Sequence, residues 1–200
     1  MSHVSISRNG RGDAARREAM IVATIGAIEA AGSLEVTVAD IAARAGVSPA
    51  LVHHYFGTKD DLLIAAMRHL LQGFRAGVTS RLRQAESPRQ RVSAIIEASF
   101  DPSQFVSEAI AAWLVFYLYA RRSAEAARLL RLYFRRLETN LVSALAPLLG
   151  MPRAHGVAAA AGAMIDGVWL RQALTPLTAP DGATAIAMVE RYIEAEMGVK

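Results

Sequence analysis

The chain of 200 residues has no cysteine, which excludes a disulfide framework, a thiolate metal site and a cysteine nucleophile, and fits a reducing compartment. It also lacks an apolar run of membrane-spanning length. Charge-free stretches such as 139–152 and 154–165 contain proline or stop well short of the roughly 18 to 20 residues such a helix needs. The start, MSHVSISRNGRGD, has no apolar core of the kind a signal peptide carries, so the expected compartment is the cytosol. Alternating β-branched runs are missing, which argues against sheet. There is no phosphate-cradling glycine loop, no GxSxG elbow, no HExxH pair and no pair of carboxylates at catalytic spacing on one helix face, so nothing points to an enzyme. An excess of one charge is nearly absent as well: the net value is +4, which permits an anionic partner without requiring one.

What is present is a globular composition, 53% hydrophobic and 20% charged, dominated by good helix formers. The periodicity predicts an all-α fold with helices over 13–31, 37–45, 49–56, 59–83, 89–100, 104–120, 123–149, 153–174 and 183–197, and breaks at 101–102, 150–152 and 176–182. Thr37 with Asp40, and Thr58 with Asp61, have the spacing of capping boxes; Ser48 is placed to N-cap, with Pro49 at the first helical position. The 59–83 helix would be about 35 to 40 Å long, enough to link two ends of the molecule. The expected division is into two domains, 1–58 and 59–200, joined by that helix. Within 158–170 the sequence AAAAGAMIDGVWL is apolar almost all round, the mark of a helix buried in a core or an oligomer interface.

The segment 37–56 places two short helices around a tight glycine turn, the shape of a helix-turn-helix, with Ile41, Ala42, Ala45, Val47, Val52 and Phe56 as its apolar lock. The second helix of such a unit enters the major groove by its N-terminal end, which makes Ser48, Pro49, Ala50, Leu51 and His53 the candidates for groove contact. A generic helical bundle is the competing reading, with Tyr55 and Phe56 merely core. Charge gives little help, since acidic and basic residues balance over 1–60. Only the leading arm, with Arg8, Arg11, Arg16 and Arg17 against Asp13, is clearly basic, and it would lie along DNA or be a solvated tail. Adjacent His53 and His54 point about 100° apart on a helix and have no second ligand cluster, so no metal is expected.

TVADIAARAGVSPALVHHYFGTKDDLL resembles the helix-turn-helix of the TetR family of repressors. The resemblance implies phosphate contacts from Thr37 and Arg44, groove contacts from Ser48 to Leu51 and His53, and backbone contacts from His54, Tyr55 and Lys59. His53 stands where the family more often has tyrosine.

In the second half, Trp113, Phe116 and Tyr117 stand at i, i+3 and i+4, so their rings share a helix face. Asp166 lies in an apolar stretch one turn before Trp169, and a carboxylate there is costly to bury alone. Such a carboxylate beside aromatic faces is what a quaternary ammonium ion needs; pairing with an arginine, or a hydrogen bond across a dimer, is the alternative. FDPSQFVSEAIAAWLVFY with AAAAGAMIDGVWLRQAL resembles the C-terminal domain of the BetI-type subgroup of choline-responsive repressors. The resemblance implies a homodimer that binds a palindromic operator and is released by choline held among Phe105, Trp113, Phe116, Tyr117, Asp166 and Trp169, controlling glycine betaine synthesis or choline uptake genes. No cofactor is implied. The 153–174 and 183–197 helices are the candidates for a four-helix dimer interface. Another small amine or an apolar compound as effector, or a DNA-binding dimer with none, remain the alternatives.

Overall fold

The computed structural model describes residues 8–175 and 179–198, with side chains from residue 12 onward. All regular structure among the described residues is helical: α1 (Arg8–Ala31), α2 (Val38–Ala45), α3 (Pro49–Phe56), α4 (Lys59–Gln84), α5 (Pro88–Ser99), a 3₁₀ turn (Pro102–Gln104), α6 (Ser107–Tyr119), α7 (Ala124–Leu149), α8 (Met151–Ala173) and α9 (Gly182–Met197). No described helix is long and apolar enough to cross a membrane.

Local chemistry sets the starts. Thr37 and Asp40 close a capping box on α2, Thr58 and Asp61 one on α4, and Ser87 and Gln90 a third on α5. Each satisfies otherwise orphaned N–H groups, and caps of this kind stabilise by about 1 kcal/mol. Gly46 ends α2 at φ +66°, a left-handed conformation that side chains resist, and this lets the Val47 N–H reach the Ala42 carbonyl at 3.0 Å.

The expected elements are present with four differences. Helix α1 begins at Arg8, not at residue 13, so all four arginines of the expected arm, Arg8, Arg11, Arg16 and Arg17, stand on a helix; the side chains of Arg8 and Arg11 lie outside the described residues. Pro152 does not break the chain, because it sits in the first turn of α8, where its missing N–H has no helical acceptor to lose. The 104–120 segment divides into the 3₁₀ turn and α6, with Phe105 and Val106 between them. Finally, α8 is buried on one face only: Ala154, Ala158, Ala161, Ile165 and Trp169 point inward, while Ala159, Ala163, Gly167 and Leu170 are exposed in the single chain.

Two cores form. The first joins Met20 and Ile28 of α1, Ile41 of α2, Val52 and Phe56 of α3 and Leu62, Leu63 and Met67 of α4 with Phe116 of α6 and Leu129 of α7. The second is built from Val78, Ile95, Ile96, Trp113, Leu141, Leu145, Ile165, Trp169 and Val189. Helix α6 therefore runs between the cores and feeds side chains to both, which explains its nearly continuous apolar sequence. Ion pairs brace the periphery: Arg68 of α4 meets Glu125 of α7 at 2.6 Å, and Arg89 of α5 meets Glu190 and Glu194 of α9.

Candidate DNA-binding face and effector cage

Helix α3 is presented by its cap. The Ser48 hydroxyl accepts from the Leu51 N–H at 3.2 Å, Pro49 occupies the first helical position, and Val52 and Phe56 anchor the opposite face in the first core. Thr37, Ser48, Pro49, Ala50, His53 and His54 are left exposed around the helix pair, whereas Leu51 is half-buried against the core.

Other expected contacts are engaged within the protein. The Tyr55 hydroxyl donates to Asp13 at 2.8 Å, His53 Nδ1 donates to the Gly57 carbonyl at 2.8 Å, and His54 packs edge-on against Tyr55. Lys59 Nζ donates to the Leu34 carbonyl at 2.7 Å, closing the loop between α1 and α2. The Arg44 guanidinium lies across Gly26 of α1, so close that a Cβ there would sit 2.6 Å from its Nε; it borders a groove shared with His69 and Val106. Of the expected basic arm, Arg16 pairs with Asp13 at 3.4 Å and the Arg17 guanidinium stands 4.8 Å from the centre of the Phe56 ring, so both are spent on the head. No group of three potential metal ligands occurs among the described residues.

In the second core, Asp166 shares a small space with rings from four helices, α4, α6, α7 and α8. Tyr133 of α7 donates its hydroxyl to Asp166 at 3.0 Å, and Trp113 lies 5.5 Å from Tyr133 and 6.0 Å from Tyr117, between centroids. Tyr117 meets Trp169 edge-on at 6.4 Å, and Phe105 stacks on the far side of Trp169, also at 6.4 Å. The Trp169 indole N–H donates to the Gln104 carbonyl at 3.2 Å, tying the 3₁₀ segment to α8. Burial pushes the Asp166 carboxyl up to about 6, against the opposing pull of the Tyr133 hydroxyl. Burial, and then the Asp166 charge, push the Tyr117 phenol well above its ordinary range.

Four of the six expected effector residues, Trp113, Tyr117, Asp166 and Trp169, line this cage, and Phe105 adjoins it only by stacking on Trp169. Phe116 lies elsewhere: it is fully buried in the first core, facing the head, on the flank of α6 about 60° from Trp113 and about 100° from Tyr117. Phe74, Ser99, Gln104, Tyr133 and Ile165 complete the cage lining and are not among the residues the sequence singles out. Tyr133 sits in the arginine-rich RLLRLYFRR segment, where nothing in the spacing singles it out. The space enclosed by the cage is small, about 20 Å³.

Residues 21–66 match the family described as bacterial regulatory proteins, tetR family, and residues 88–198 match the BetI-type transcriptional repressor C-terminal family. The chain belongs to the TetR family, with a BetI-type C-terminal domain. It is 52% identical over 182 residues to the HTH-type transcriptional regulator BetI of Brucella canis, covering 91% of each chain. It is 46% identical to the regulator of the same name from Rhizobium meliloti, covering 91% of this chain and 89% of that one. Among solved structures, a TetR transcription regulator from Haloarcula marismortui superposes with a TM-score of 0.81 at 22% identity, over 91% of this chain and 98% of its own. A transcriptional regulator from Saccharomonospora viridis, solved in complex with choline, superposes with a TM-score of 0.76 at 19% identity, over 89% of this chain and 95% of its own. These likenesses place the TetR fold across nearly the whole chain and its role in DNA-binding transcription regulation; its relatives are regulators, not enzymes.

Proposed function

We propose that this TetR-family repressor acts in the cytoplasm as a homodimer whose two heads, each within residues 1–58, bind a palindromic operator, and that choline bound within residues 59–200 releases it. Control of glycine betaine synthesis or choline uptake genes follows from that effector. The observation that carries the reading is the half-buried Asp166 carboxylate ringed by Trp113, Tyr117, Tyr133 and Trp169. A trimethylammonium ion has no N–H to donate, so it is held by ring faces and a counter-charge. The choline-bound structural relative from Saccharomonospora viridis lends support from outside the chain.

Operator contact is assigned to the exposed Thr37, Ser48, Pro49, Ala50, His53 and His54. Tyr55 and Lys59 reach phosphates only by giving up present hydrogen bonds, Arg44 by swinging away from Gly26, and Arg8 and Arg11 add charge at the start of α1. Pairing through the exposed small-residue face of α8 and that of α9, around Ala187 and Met188, forms a four-helix interface.

A space of about 20 Å³ holds about one water molecule, so an organic cation enters only by moving the walls. One wall is the 3₁₀ segment. Gln104 and Phe105 touch Trp169, and two residues on, the Ser107 hydroxyl donates to Glu29 of α1 at 2.9 Å. Another wall is Tyr133, which meets Phe74 of the connecting helix α4 edge-on at 5.4 Å. Choline that binds the opened cage better than the closed one shifts both contacts, and with them the spacing of the heads from about one helical turn of DNA.

The test is a melting-temperature screen with choline, betaine aldehyde, glycine betaine and polyamines. Stabilisation by choline that grows with concentration as mass action requires, and fades in Asp166→Asn, supports the reading; no shift with choline overturns it.

A further inference from the structure

Beside the cage, between α4 and α7, lies a second and much larger cavity of about 320 Å³. The two spaces share walls, because Phe74 and Tyr133 line both. Their chemistry is opposite. The cage holds a carboxylate and ring faces, whereas the larger cavity has an apolar floor that includes Val78 and Leu137, and carries Arg75, Arg136 and Asn140 with no carboxylate in its lining. Neither Arg75 nor Arg136 forms an ion pair among the described residues, although Arg68 and Arg81 of α4 and Arg128 of α7 each meet a carboxylate.

We propose that the α4–α7 cavity is a second compartment of the effector site, and that it takes the anionic end of a trimethylammonium zwitterion whose cationic head occupies the cage. The inference rests on the cage reading and adds a ligand class to it. Tyr133 is the partition. When an incoming ammonium replaces its hydroxyl at Asp166, the ring has room on the cavity side, and its displacement joins the two spaces. A ligand spanning them places its cation against Asp166 and its anion against two guanidinium groups, each of which offers a fork of donors to a phosphate or carboxylate.

Spacer length then sets selectivity. A choline phosphoester, or a carnitine-type carboxylate with its longer spacer, carries its anion past the Tyr133 ring. Glycine betaine has a single methylene between nitrogen and carboxylate, so its anion stays in the cage beside Asp166 and is repelled.

The experiment is calorimetric titration of the full-length protein, at low ionic strength, with choline, phosphocholine, carnitine and glycine betaine. It is run on the wild type and on the double variant Arg75→Gln with Arg136→Gln, whose fold is checked by its melting curve. Both substituted side chains are exposed, so the variant is expected to fold. The expected result is that phosphocholine and carnitine bind roughly tenfold more tightly than choline, that glycine betaine binds most weakly, and that the double variant removes this advantage while leaving choline unchanged. Choline binding without any such advantage, or an equal loss for every ligand in the variant, overturns the second compartment and leaves the cage standing. Failure of all four ligands to bind the wild type overturns both.

Discussion

The Ser107 hydroxyl donates to the Glu29 carboxylate at 2.9 Å, joining the first residue of α6 to the DNA-binding head two positions after Phe105, whose ring lies on Trp169. This link between the cage wall and α1 ends in one exposed hydrogen bond. Such a bond adds little to stability, about 0.5 to 1.5 kcal/mol at most, so its removal separates coupling from folding. Ser107→Ala is expected to melt within a few degrees of wild type and to bind choline with unchanged affinity. The choline concentration needed to release DNA is expected to rise. A variant with an unaltered release curve excludes this contact from the coupling.

Phe116 belongs to the first core and not to the cage. Truncation of a fully buried phenylalanine typically costs about 3 to 5 kcal/mol. Phe116→Ala is thus expected to lower the denaturant midpoint sharply. The milder Phe116→Leu should fold and bind choline as the wild type does, whereas Trp113→Leu should fold and lose binding. Equal loss of choline affinity in the two leucine variants would return Phe116 to the site.

How far the sequence could be read depends on what each element faces. Starts of helices were legible because Thr37, Ser48 and Thr58 announce them through local hydrogen bonds that need no tertiary context. Phe116 was misplaced because the i, i+3, i+4 rule identifies neighbours on a helix with one buried side, and α6 has two. Tyr133 was missed because its partner, Asp166, is 33 residues away on another helix, and only the packing of α7 on α8 brings them together. The TetR resemblance assigns Arg44 and Lys59 to the DNA backbone but carries no information on what they rest against in the free protein. Gly26 and the Leu34 carbonyl, which occupy them here, lie in segments that precede the motif.

Asp166 gives the protein a specific dependence on pH. Its carboxyl is raised from an ordinary 3.8 to about 6, chiefly by burial. Between those values the folded chain binds more protons at this site than the unfolded chain does, so its contribution is fully present below pH 4 and is lost as pH rises through 6. The loss is on the order of 2 to 3 kcal/mol. Asp166→Asn should therefore stabilise the ligand-free protein at pH 7.5 and leave it nearly unchanged at pH 4, as read from denaturant midpoints. Choline needs the charged form, so its affinity for wild type is expected to fall as pH drops below 6. An affinity flat from pH 7.5 to 5 would remove the counter-charge role.

Lys59 holds the Leu34 carbonyl at 2.7 Å, which makes it first a brace for the α1–α2 loop. Lys59→Met is expected to cost roughly 1 kcal/mol of stability. DNA binding should weaken with only a small change in its salt slope. A slope smaller by about one unit, with stability intact, would instead identify Lys59 as a phosphate contact.

The most direct test of effector-controlled repression is fluorescence anisotropy of a duplex selected by the protein from a random pool, titrated with choline in the presence of wild type or Asp166→Asn. Choline is expected to release the duplex from wild type in a saturable way, while the Asp166→Asn complex stays bound at the same concentrations. A wild-type complex that choline does not dissociate, or an Asp166→Asn complex released as readily, would contradict choline control through this cage.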